Sequence, residues 1–223
     1  MVASSVLARP DIQSDFIQLS LFIATVVLGL AVHFIFVILV QLIASRKNPL
    51  DLLKYCARPY LIAFATTSPA CAAGEVNEAL DKCGVKQLVS HFTTPVCAVM
   101  KGDGPGVFIA ASCLFLAQQA KINLSIGQTF IVLFLTFASS TAVPNIPSAS
   151  IVLVMTVLSS IGVPTEGAGI IFAVEWLLDR FRSGSGAFSM IYVATTTEAL
   201  YDKLEKKQNV EDASDVEQIS VIS

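Results

Sequence analysis

The chain has 223 residues, of which 54% are hydrophobic and only 14% charged, and its mean hydropathy is +0.72, so it reads as an all-α, polytopic membrane protein and not as a soluble domain. The net charge of −3 is gathered at segment ends and near the C-terminus, and no basic patch or aromatic-basic stripe points to nucleic acid. Five cysteines without a CxxC pair, and two histidines, give no basis for a disulfide framework or a metal cluster, which leaves the cysteines as small apolar packing residues.

Residues 1–15 carry a single arginine and no apolar run, so they form an N-terminal tail and not a secretory leader. Residues 16–44 follow as the first segment able to span, because about 20 residues cross the hydrocarbon. His33 lies at its middle, either as an interhelical packing and hydrogen-bonding residue or as a proton relay. Arg46 and Lys47 end the segment and place that end in the cytoplasm, with the N-terminus outside. Residues 50–65 are too short and too charged (Asp51, Lys54, Arg58) to span comfortably. They run into the small-residue turn 66–74 and then the polar stretch 75–86, which predicts a re-entrant hairpin entering from the cytoplasm.

Residues 88–117 cross outward but are broken at Met100-Lys101-Gly102-Asp103-Gly104-Pro105-Gly106. Unwound backbone and charge survive at membrane depth only inside protein or beside a water-filled cavity, so the break is a candidate binding site; the alternative is a polar loop between two short helices. After the polar turn 118–123, the short apolar segments 124–138 and 151–161 flank a proline-broken turn, predicting a second re-entrant hairpin, this one from outside. For each hairpin a pair of ordinary spanning helices is the alternative. Two interrupted hairpins from opposite sides point to a transporter with a site near the membrane midplane. The last long segment, 167–200, carries Glu175, Asp179 and Arg182 on one helical face, continued by Gly186 and Met190. Such a stripe faces a ligand or closes on itself as an internal salt bridge. The chain therefore divides into the tail 1–15, a membrane-embedded domain 16–200, and an acidic, polar cytoplasmic tail 201–223.

Lys101-Gly102-Asp103-Gly104-Pro105, framed by Pro95-Val96 and by Phe115-Leu116-Ala117-Gln118, resembles the Asn-Met-Asp-Gly-Thr break of the glutamate and neutral amino-acid transporter family, the dicarboxylate/amino-acid:cation symporters. Arg46-Lys47-Asn48-Pro49, Ala63-Phe64, the run from Ser159 to Thr165 and the run from Ala173 to Arg182 resemble that family in the same order, and the likeness covers roughly residues 15–207. It implies a transport domain of spanning helices, an unwound helix and two re-entrant helical hairpins, moving as an elevator across a trimeric scaffold in the plasma membrane. The scaffold helices would precede the first segment; the expectation is a fragment, or a chain that finds its scaffold elsewhere.

By the same resemblance, Asp179 holds a substrate ammonium and Arg182 forks onto an acidic side chain, while Ser183, Ser68 and Pro147 line the substrate. Asp103 and Gly186 are left as sodium ligands, and sodium is the only ion implied; no cofactor is expected. The departures are Lys101 for an asparagine, Pro105 for a threonine and Met190 for a carboxylate that binds sodium in the family. The implied function is secondary transport of an acidic amino acid or dicarboxylate, with sodium coupling weakened or lost because Lys101 brings an ammonium to the neighbourhood of Asp103. A non-transporting subunit that keeps the fold is the alternative. An intramembrane aspartyl protease is the weakest reading: Gly102-Asp103 lacks a second aspartate at matching depth, the one Tyr-Asp pair, Tyr201-Asp202, lying in the polar tail.

Overall fold

A computed structural model describes residues 12–45, 48–100, 102–142 and 148–222, and among them the chain is helical with no strand. Helix α1 spans Ile12–Ser45 and α2 spans Pro49–Thr66. A short 3₁₀ turn, Pro69–Ala72, leads into α3, Ala73–Lys82; α4 is Gln87–Met100 and α5 Asp103–Gln119. Helices α6, Ile126–Ala142, and α7, Ala149–Ser160, follow, and a second 3₁₀ turn, Glu166–Ala168, precedes α8, Gly169–Ile222. Phe16–Ser45 and Gln87–Gln119 are long and apolar enough to cross a membrane, and α6 and α7 are shorter apolar helices.

Local chemistry sets the boundaries. The Asn48 side chain accepts the Leu50 N–H at 3.1 Å and Pro49 occupies the first helical position, so α2 starts there. Helices α3 and α7 end alike: Gly84 and Gly162, both at φ 73°, turn the chain left-handed, and the amide after each returns to a helix carbonyl, Val85 to Leu80 at 3.1 Å and Val163 to Leu158 at 3.0 Å. The same closure after both hairpins is a structural echo between the two halves of the chain. Between α4 and α5, Gly102 lies so close to Ser140 at the end of α6 that a Cβ there would overlap its carbonyl.

Among the described residues two large apolar clusters and a small one of Ala63, Ala72 and Ala187 make up the core. Phe22, Val26, Phe108, Ile109, Val154, Leu158 and Leu178 belong to the first, built from α1, α5, α6, α7 and the early part of α8. Leu52, Cys56, Val76, Leu80, Val89, Met190 and Tyr192 belong to the second, built from α2, α3, α4 and the later part of α8. Helices α1 and α8 run through both, while each hairpin serves one cluster with half of the broken α4–α5 pair. Along α1, Phe16, Leu21, Leu28, Phe36 and Ile43 stay exposed, an apolar face suited to lipid or protein.

The segment expected as a solvated tail from residue 201 begins as helix instead, continuous with α8. It docks. The Glu198 carboxylate accepts the Lys86 amide at 2.8 Å, Lys86 Nζ pairs with Asp202 at 2.8 Å and Glu205 at 3.1 Å, and Lys203 Nζ donates to the Ala44 carbonyl at 2.9 Å. Strong helix formers carry the helix on, and charges that looked solvated find partners on the α3–α4 connection and the end of α1.

Candidate functional site

Arg182 is the centre of the site. Its side chain is 1% exposed, at the depth where the two core clusters meet on α8. Nη2 donates to Asp179 Oδ1 at 2.7 Å and to Glu175 Oε1 at 2.9 Å, one and two turns back along the helix. The Phe108 ring of α5 lies 4.2 Å from the guanidinium carbon, close enough for a cation–π contact in a desolvated setting. Gly104 brings α5 this near: a Cβ there would stand 3.1 Å from both Arg182 Cβ and its carbonyl oxygen. Arg182 Nε and Nη1 are buried without a hydrogen-bond partner among the described residues. Unsatisfied donors on a buried cation are costly, and an anion entering the site would satisfy them.

At the start of α7, the Ser148 hydroxyl donates to Glu175 Oε2 at 2.6 Å. The 3₁₀ turn after α2 reaches α8 one turn beyond Arg182, where Pro69 Cγ would be 3.0 Å from a Cβ at Gly186. Ser68 precedes that proline at the start of the 3₁₀ turn, and Ser183 is buried beside Arg182. Asp103 opens the first turn of α5, with Oδ2 3.4 Å from His33 Nε2 on α1.

Of the residues expected at the site, Asp179 and Arg182 are in direct contact, Ser183 adjoins them, and Ser68 precedes Pro69, which stands against Gly186 of α8. Asp103 pairs with His33. Lys101 and Pro147 lie outside the described residues. Three contributors had no assigned role in the sequence reading. Glu175 was placed on the stripe only, though its seven-residue spacing from Arg182 is two helical turns and pointed to a pair. Ser148 makes its contacts through tertiary packing, which spacing does not reveal. Arg180 donates from Nη1 to the carbonyls of Phe64 and Ala65 at 3.3 and 3.1 Å, covering free acceptors at the end of α2.

Among the described residues no three His, Cys, Asp or Glu side chains group to hold a metal ion. Met190, where the resemblance places a carboxylate, is 1% exposed within the second apolar cluster, and a thioether is a poor ligand for a hard cation.

An arginine held by two carboxylates on α8 forms a buried charged centre in an apolar, all-helical chain with two stretches long enough to cross a membrane. The sequence model of the Sodium:dicarboxylate symporter family matches residues 2–200. The chain is similar to excitatory amino acid transporter 2 of Mus musculus, 31% identical over 185 residues, which cover 82% of this chain and 32% of that protein. It is 36% identical over 170 residues to excitatory amino acid transporter 3 of Mus musculus, covering 75% and 32%, and 30% identical over 185 residues to excitatory amino acid transporter 5 of Homo sapiens, covering 82% and 33%. The chain belongs to the sodium:dicarboxylate symporter family. It spans about a third of the length of the curated relatives it matches.

Proposed function

We propose that this chain is the substrate-carrying part of a secondary transporter for an acidic amino acid or dicarboxylate, moving as an elevator, with sodium coupling weakened or lost. One observation carries the substrate class: Arg182 is a buried cation, backed by Phe108, with two unsatisfied donors, in a family of dicarboxylate symporters. Asp179 beside it offers a carboxylate for a substrate ammonium, and Ser183, Ser68 and Pro147 supply the lining.

The topology that serves this reading has α2–α3 re-entering from the cytoplasm and α6–α7 from outside, with the α4–α5 helix unwound between Met100 and Asp103. The shortness of these helices against the roughly 20 residues of a full span supports it, as do Arg46 and Lys47 after α1. Weakened coupling rests on Met190 in place of a carboxylate and on Lys101, an ammonium two residues before Asp103, leaving Asp103 and Gly186 of the sodium ligands. A homotrimer built on scaffold helices, in the plasma membrane, completes the reading.

A second reading, a non-transporting subunit that keeps the fold, is favoured by Met190 alone: the position has been refilled as apolar core. Counterflow separates the two. Proteoliposomes of the full chain preloaded with L-aspartate are expected to exchange it for labelled external L-aspartate without concentrating it on a sodium gradient. Sodium-driven accumulation would contradict weakened coupling, and no exchange in any medium would favour the subunit.

A further inference from the structure

Toward the end of α8 the charges sort by face. Glu198, Asp202 and Glu205 recur at helical spacing on one stripe, and that stripe meets Lys86, whose backbone N–H reaches Glu198 at 2.8 Å and whose Nζ pairs with Asp202 at 2.8 Å and Glu205 at 3.1 Å. Lys203, Lys206 and Lys207 form a separate stripe at i, i+3 and i+4, and all three are exposed. Lys203 Nζ donates to the Ala44 carbonyl at 2.9 Å, a neutral acceptor that leaves its charge uncompensated. Among the described residues no carboxylate pairs with Lys203 or Lys206.

The bond to Ala44 fixes where the basic stripe stands. Ala44 lies in the last turn of α1, a helix long and apolar enough to cross a membrane, so Lys203 is held at the end of such a helix. Leu200 and Leu204, 49% and 67% exposed, precede Lys203 and Lys207 by three residues each and so border the stripe. Exposed leucines beside lysines are the composition of a helix at a membrane surface. In the chain Arg46 and Lys47 come directly after Ser45, outside the described residues, and the acids Glu211, Asp212, Asp215 and Glu217 come about 12 Å or more past Lys203 along the helix.

We infer that residues 200–207 of α8 form a binding surface for anionic phospholipid headgroups, with Lys203, Lys206 and Lys207 meeting the headgroup charge and Leu200 and Leu204 meeting the upper acyl carbons. The dimensions agree: Lys203 to Lys207 is about 6 Å along the axis, and one headgroup layer is roughly 5–7 Å deep. The charge is complementary because Lys86 occupies the acids of the same stretch, which leaves the lysine face net positive. The acids further along the helix would be repelled by an anionic surface, and that fixes which part of the helix stays near it. The inference rests on the transporter reading only for assigning this face to the cytoplasmic leaflet.

Phosphatidylserine and, separately, phosphatidylcholine titrated into the purified full chain in neutral detergent, with bound lipid counted by native mass spectrometry, test it. The wild type is expected to hold phosphatidylserine the more tightly, and raised salt is expected to erase that preference without any substitution. Each lysine near an anionic lipid surface gains about fivefold in affinity, so Lys203→Gln, Lys206→Gln and Lys207→Gln together should weaken phosphatidylserine binding about a hundredfold. Phosphatidylcholine binding should not change, and Lys203→Arg, Lys206→Arg and Lys207→Arg together should keep the preference. Lys121→Gln, which removes an exposed charge beyond the end of α5, should leave it intact. Equal affinity for the two lipids, phosphatidylserine affinity retained in the triple glutamine variant, or an equal loss in Lys121→Gln would overturn the inference. A polyglutamate peptide that binds more tightly than phosphatidylserine and displaces it would overturn it in favour of an acidic protein partner. Failure of L-aspartate to bind the chain would remove the transporter reading and leave the lipid titration to decide this surface by itself.

Discussion

Replacing Arg182 with cysteine separates a receptor from a strut. The guanidinium is 1% exposed, and its Nη2 is the cation for Glu175, 3% exposed, and Asp179, 16% exposed. Removing one partner of a buried ion pair typically costs about 3–5 kcal/mol, because it strands a charge out of water. If Arg182 is a carboxylate receptor, binding of L-aspartate loses a comparable energy, a fall in affinity of about two to three and a half orders of magnitude. The stability loss has a remedy that the binding loss lacks. Adding Glu175→Gln and Asp179→Asn to Arg182→Cys removes the stranded charges and should restore much of the thermal stability while leaving acidic-substrate binding absent. Equilibrium binding of labelled L-aspartate to the purified chain, run beside thermal unfolding in the same detergent, reads both. Unchanged aspartate affinity in Arg182→Cys would refute the reasoning and leave Arg182 as an internal salt bridge.

The remaining predictions concern packing, docking and topology. Gly104→Ala places a methyl group 3.1 Å from Arg182 Cβ and its carbonyl, so it should destabilise the chain by about 1–3 kcal/mol in thermal unfolding; a neutral result would mean α5 is not held against α8 there. Lys86→Met should release the docked helix beyond residue 200 and speed tryptic cleavage at Lys203, and raised salt should do the same to the wild type because these pairs are exposed. The hydrogen bonds that Lys86 Nζ donates to Asp202 and Glu205 raise its pKa above the ordinary 10.5. The clamp is therefore fully present below that value and lost only as pH rises through the raised one, and cleavage should be constant between about pH 7 and 9. In intact cells, a cysteine at Lys121 should react with an impermeant reagent and one at Lys82 should not; equal labelling would contradict hairpins that enter from opposite sides.

Segment order was legible because apolar runs, charges and turn residues act locally. The boundaries of α1, α2 and α7 fall within a few residues of where residues such as Asn48, Pro49 and Gly162 place them. Gly102, Gly104 and Pro105 all oppose a continuous helix, and α4 stops at Met100 while α5 starts at Asp103. The Asp179–Arg182 contact was legible from i,i+3 spacing. What the residues could not reveal is tertiary. Ser148 looks like an ordinary turn serine until α7 is laid against α8, and Arg180 looks solvated until the end of α2 brings two free carbonyls to it. The charges and scarce aromatics beyond residue 200 suit a solvated segment, and only the folded chain brings Lys86, more than a hundred residues earlier, to Glu205.

Equilibrium binding of labelled L-aspartate to the full chain in sodium and in choline tests the central claim most directly. If Arg182 receives a carboxylate and coupling is weakened as proposed, binding should be saturable and of similar affinity in both media. Steep sodium dependence would contradict the weakened coupling, and absence of binding in both would contradict the receptor role of Arg182.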